Sequence, residues 1–98
     1  MATLFINDDT EVTGLDKVQF SLMTDALSPL AKKSLNANDF NVFRGMAQGL
    51  LQLDLCDFSK PVFVQACNVI FKVCQENNEL KPHAQELTEK LRADPRFA

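Results

Sequence analysis

The sequence predicts an all-α fold, a small bundle of four main helices formed by residues 14–93 of a single domain spanning 1–98. Three observations carry this. Apolar residues recur at steps of three and four along most of the chain, polar residues recur at the same steps on other faces, and Ser, Thr, Asn or Pro stands where each pattern begins. Residues 1–13 fall outside the bundle. There "TLFINDDTEVT" has an apolar run, an Asn-Asp-Asp turn and a weaker second run, which reads as a short hairpin or an extended arm.

The first helix is expected over about 14–27, capped by Thr13 and Asp16, which have the spacing of a capping box. Its polar face is Lys17, Ser21, Thr24 and Ser28, and its apolar side carries Leu15, Val18, Phe20, Leu22, Met23, Ala26 and Leu27. Pro29 disfavours helical geometry at Ser28, so the helix should end or kink there and restart as a short turn. "NANDF" then supplies caps for a second helix, about 38–53. Its apolar face is Phe40, Phe43, Met46, Ala47, Leu50, Leu51 and Leu53, and its polar face is Asn41, Arg44, Gln48 and Gln52.

The third helix follows "CDFSKP", with Ser59 or Lys60 as its cap and Pro61 in its first turn, where a missing N–H costs nothing. It runs to about Asn77. Its many β-branched residues would also suit a strand. Gln65, Asn68 and Lys72 decide for the helix, because they fall at i, i+3 and i+7 on one face, whereas a strand would scatter them over both. Pro82 opens a fourth helix in which Leu80, Ala84, Leu87 and Leu91 line up, and Asp94-Pro95 ends it.

Three cysteines invite a search for chemistry. Phe63, Cys67, Ile70 and Cys74 step by four, three and four along the third helix, so both thiols belong to one apolar seam. Residues seven apart on a helix are separated by about 10.5 Å along the axis. That is too far for a disulfide, which needs Cα atoms within ~7 Å, or for a shared zinc. Cys56 has no CxxC or Cys/His partner spacing. All three read as core filling, since free cysteine packs like a small hydrophobe. His83 reads as a solvated surface histidine beside Glu79 and Glu86.

Other site types are not assembled. Asp8, Asp9 and Glu11 lack the glycine and terminal glutamate of a calcium loop. Gly14, Gly45 and Gly49 form no phosphate-cradling loop. All eight aromatics are Phe, and none sits within a basic cluster that would bind bases. No catalytic residue, cofactor or metal is therefore expected, and the chain is not read as an enzyme. Ten basic against thirteen acidic residues leave a formal charge of −3, the wrong sign for a phosphate-binding surface. Lys32-Lys33 reads as a solvated pair. The start "MATLFINDD" has no secretory pattern, no window has the ~18 apolar residues of a membrane span, and an odd cysteine count suits a reducing compartment. A cytoplasmic protein without membrane attachment is expected.

The most suggestive constellation is "RGMAQG". Gly45 and Gly49 make a G-x-x-x-G step inside a helix, where each glycine costs about 1 kcal/mol relative to alanine. With Val42 and Leu53 they lie on the shoulder between the polar and apolar faces. They serve either close packing of a neighbouring helix or contact with another chain. The apolar arcs of the first three helices are wide for a monomeric bundle, which calls for a cover, and a homodimer is the commonest one. The sequence is thus read as a non-enzymatic protein–protein interaction module — adaptor, regulator, inhibitor or assembly chaperone — with a homodimer expected and Val42, Gly45, Gly49 and Leu53 as its partner-binding residues. The alternative is a nucleic-acid-binding regulator with the second and third helices as a helix-turn-helix. Against it stand the acidic balance and a connection of about seven residues, longer than the usual ~3–4.

Overall fold

The computed structural model describes residues 1–97. It contains the four helices but is not an all-α bundle. Strands β1 (Ala2–Asn7), β2 (Thr10–Leu15) and β3 (Gln52–Asp54) form a mixed sheet in the order β2-β1-β3, and the architecture is α+β. The helices are α1 (Lys17–Ser34), α2 (Ala37–Leu50), α3 (Lys60–Glu76) and α4 (Lys81–Arg92), with 3-10 turns at Asn78–Leu80 and Pro95–Phe97.

The N-terminal segment forms the hairpin, β1 with β2, rather than a loose arm, and β1 is the central strand of the sheet. Along β1, Ala2, Leu4 and Ile6 are buried while Thr3, Phe5 and Asn7 are half-buried, as period-two alternation requires. Leu4 pairs with Val12 on the antiparallel side and with Leu53 on the parallel side, so a row of three apolar residues faces inward. In β2 the inward residues Val12 and Leu15 are three apart. A bulge absorbs the extra residue: between the pairs Leu4–Val12 and Ala2–Leu15 the register shifts, and Gly14 takes the left-handed conformation (φ 77°) that a side chain resists.

This sheet face and the helices enclose one core. Leu4, Ile6, Val12, Leu15 and Leu53 meet Phe20, Met23 and Leu27 of α1, Phe63, Cys67 and Ile70 of α3, and Leu87 and Leu91 of α4. The cover that the wide helical arcs called for is thus supplied in part by the chain's own sheet.

Several boundaries differ from those expected. Asp16, not Thr13, caps α1: its carboxylate accepts from the Gln19 backbone N–H at 2.8 Å, and the Gln19 side chain accepts from Asp16 N–H at 2.9 Å. Gln19 Nε2 also donates to the Glu79 carbonyl at 2.8 Å, which fastens the start of α1 to the turn before α4. Pro29 does not end α1, which continues to Ser34. Pro29 is exposed, and so is Asp25 one turn earlier, whose carbonyl loses the usual N–H partner. Helix α2 stops at Leu50, because Leu51 turns left-handed (φ 54°) and the chain passes straight into β3. In α3, Gln65, Asn68 and Lys72 are all exposed, as their spacing requires.

Candidate functional site

One groove lies beside α2, with a volume of about 330 Å³. On the helix side, Asp39, Val42, Phe43 and Met46 line it at i, i+3, i+4 and i+7, a single helical face. Leu35, between α1 and α2, closes one end. Opposite stand Asp54, Asp57 and Phe58, from the segment joining β3 to α3. The Phe43 and Phe58 rings meet at 5.9 Å between centroids and are both buried, so they floor the groove with packed aromatic surface.

The segment opposite α2 is held by strand pairing, with Leu55 N–H donating to the Phe5 carbonyl at 2.8 Å, and by one side chain, Arg96. Its Nη1 donates to the carbonyls of Leu55 (2.8 Å) and Phe58 (2.9 Å). Its Nη2 donates to the Ile6 carbonyl at 2.7 Å and to Asp94 Oδ2 at 3.0 Å, while Nε donates to Asp94 Oδ1 at 2.9 Å. The guanidinium lies 3.9 Å from the centre of the Phe63 ring. The C-terminal 3-10 turn therefore pins the end of β1, the segment after β3 and the first turn of α3 to one point. Asp94 is buried and also accepts from Asn7 Nδ2 at 2.9 Å. The Arg96 hydrogen bonds hold its carboxyl well below the usual carboxylate range. Within the segment itself, Asp54 Oδ1 accepts from Cys56 N–H at 2.8 Å.

The rim of the groove is acidic. Asp39, Asp54 and Asp57 contribute three carboxylates, no Lys or Arg lines the groove, and none of the ion pairs among the described residues involves these three.

Three of the four residues expected to bind a partner share the exposed side of α2. Val42 is 55% exposed and lines the groove. Gly45 and Gly49 are exposed, and a Cβ built on either meets nothing within 4 Å, so no neighbouring element of this chain packs against them. Leu53 is not with them. It belongs to β3, is fully buried, and pairs with Leu4. Sequence reading missed the acidic half of the groove. The i, i+3, i+4, i+7 spacing of Asp39, Val42, Phe43 and Met46 was available as a signal. The approach of Asp54, Asp57 and Phe58 depends on β3 and left none.

The thiols carry no evident chemistry. Cys67 is fully buried, whereas Cys56 and Cys74 are half-buried rather than core. Burial, followed by the Asp54 hydrogen bond, pushes the Cys56 thiol up to about 12. Burial raises Cys67 to about 11 and raises Cys74 as well. His83 is not a free surface group: its side chain is largely covered, with Nδ1 at 3.7 Å from Glu86 Oε1. Among the described residues no group of three or more His, Cys, Asp or Glu is placed to hold a metal ion, and no helix is long and apolar enough to cross a membrane.

No family model matches the sequence, and no curated protein does. Among solved structures, one chain of the complex of the CdiA-CT toxin from Burkholderia pseudomallei E479 with its cognate CdiI immunity protein is similar, with a TM-score of 0.62. The match covers 100% of both chains at 16% sequence identity. The likeness is one of fold.

Proposed function

We propose that this chain is a non-enzymatic, inhibitor-like protein-binding module that engages a partner protein through the exposed side of α2 and the groove beside it. The observation that carries the reading is the state of α2. Val42 is exposed next to an aromatic-floored groove, and Gly45 and Gly49 leave a low ridge that nothing in the chain fills. Glycine inside a helix weakens it, and here no internal packing repays that loss. Contact with another chain does. The fold adds support of a coarser kind, since the similar chain comes from a complex in which an immunity protein binds a toxin.

A helix-turn-helix arrangement is not formed, because β3 intervenes between α2 and α3 and brings Asp54 and Asp57 to the surface beside α2. Phosphates would meet carboxylates there. The homodimer loses part of its basis as well, since the sheet already covers apolar surface assigned to it. These points favour a different protein, bound as a target, as the occupant of the α2 face.

The test is to isolate the protein that co-purifies with this chain from its native cell, then assay that protein's own activity with and without stoichiometric chain. Loss of the activity in a defined complex is expected. A partner fully active in the complex would contradict the inhibitor reading.

A further inference from the structure

We infer that the groove beside α2 takes a cationic protein segment, an apolar side chain flanked by lysine or arginine. The inference rests on the proposed binding role of α2 and deepens it by naming the chemistry of the occupant. The floor, Phe43 and Phe58 with Met46 and Val42, offers apolar contact in a volume of about 330 Å³, room for a large side chain rather than a whole helix. The rim offers three carboxylates, from Asp39, Asp54 and Asp57, with no basic residue of the lining to neutralise them.

Their partners within the chain are weak or local. Asp39 Oδ2 accepts from the exposed Asn36 amide at 3.1 Å, and Asp54 accepts from the backbone N–H and the thiol of Cys56, both neutral donors. Neither contact cancels the charge. The nearest cation on the helix, Arg44, stands over the Phe40 ring at 5.7 Å, about 140° around the helix from Asp39 at ~100° per residue. A field of one sign around an apolar slot selects for the opposite charge and against its own.

The same field decides against a second copy as occupant. A two-fold contact centred on the groove would crowd its three aspartates against their own images. Nucleic acid is disfavoured for the same reason. A protein segment bearing Lys or Arg beside Leu, Phe or Met satisfies both the floor and the rim.

The experiment is a ¹H–¹⁵N correlation NMR titration of the full chain with four capped peptides: Lys-Leu-Phe-Lys, Ser-Leu-Phe-Ser, Glu-Leu-Phe-Glu and Lys-Ser-Gly-Lys. The first is expected to shift the amides of Val42, Met46, Asp57 and Phe58 and to bind at least tenfold more tightly than the others. Raising the salt to 0.5 M should weaken it severalfold. The double variant Asp39→Asn/Asp57→Asn, both sites being exposed, should weaken it about tenfold with an unchanged spectrum elsewhere. Equal binding of the neutral peptide at these amides would overturn the cationic occupant while leaving the α2 role intact. Shifts confined to other surfaces, or no shifts at all, would overturn this inference alone, since the function is tested on the whole partner. Concentration-dependent shifts at these amides without peptide would overturn it in favour of a second copy.

Discussion

Arg96 and Asp94 form a doubly hydrogen-bonded pair, Nε to Oδ1 at 2.9 Å and Nη2 to Oδ2 at 3.0 Å, with the carboxylate buried. The pair lies two residues apart in sequence, yet through the remaining guanidinium donors it reaches Ile6, Leu55 and Phe58. The C-terminus of the chain thereby fixes the wall of the groove.

Removing Arg96 takes the counter-charge from a buried carboxylate and a donor from the carbonyls of Ile6, Leu55, Cys56 and Phe58. Arg96→Ala should lower stability by roughly 3–5 kcal/mol, the cost of breaking a buried pair by deleting one partner. Arg96→Lys should recover little of it, because an ammonium cannot reproduce the planar fork. Urea unfolding of the three proteins measures this. A loss under 1 kcal/mol for the alanine variant would mean that the clamp is not what holds the wall.

The same pair sets the acid limb of stability. The Asp94 carboxyl is held below its unfolded value of about 3.9, so its contribution is complete above that pH and is lost as the pH falls further toward the folded value. Thermal melts from pH 7 to pH 2 should therefore show stability falling below about pH 4. Asp94→Asn should be less stable at pH 7 and show a shallower acid decline. Parallel pH profiles for the two proteins would remove Asp94 as the source.

The thiols should react slowly for different reasons. Cys67 is enclosed, while half-buried Cys56 is held protonated by burial and by Asp54, with its pKa near 12. Since the thiolate is the nucleophile, alkylation of Cys56 at pH 8 should run on the order of a thousandfold slower than that of a free cysteine. Cys74, at the edge of the core, should be the first of the three to label. These raised values also predict a loss of stability as the pH climbs above about 9, where the unfolded thiols begin to ionise. Fast native labelling at Cys56, resolved by mass spectrometry, would contradict the assignment.

Helix α2 should be improvable. Because a Cβ on Gly49 meets nothing, Gly49→Ala should stabilise the chain by about 1 kcal/mol through helix propensity alone. Leu51 is the one non-glycine residue with positive φ among the described residues, and it is 44% exposed. Leu51→Gly should relieve strain of the order of 1 kcal/mol. Calorimetric melts decide both; a lowered melting temperature for Gly49→Ala would restore an internal packing role for the glycines.

The helices were legible in the sequence because they keep a period over many turns, as Gln65, Asn68 and Lys72 do on α3. The sheet was not. Its inward residues in β2 are Val12 and Leu15, an odd spacing that only the Gly14 bulge reconciles with one face. Strand β3 has three residues and follows α2 without a polar break, so Leu50, Leu51 and Leu53 read as one continuous helical face. The switch is made by a left-handed Leu51, where glycine would have announced it. Within the candidate site, the α2 half followed from spacing. The Asp54–Phe58 half depends on strand pairing and on Arg96 reaching back 38 to 41 residues, which leaves no local mark.

The central claim is that α2 presents a surface for another protein, and Gly49→Leu tests it most directly. The substitution adds bulk to the open ridge at a position where a Cβ meets nothing within 4 Å. Affinity for the co-purified partner should be measured by isothermal titration alongside the melting temperature. The account predicts a melting temperature equal to or above that of the wild type and a loss of affinity of at least tenfold. Unchanged affinity in a protein that is equally stable would contradict it.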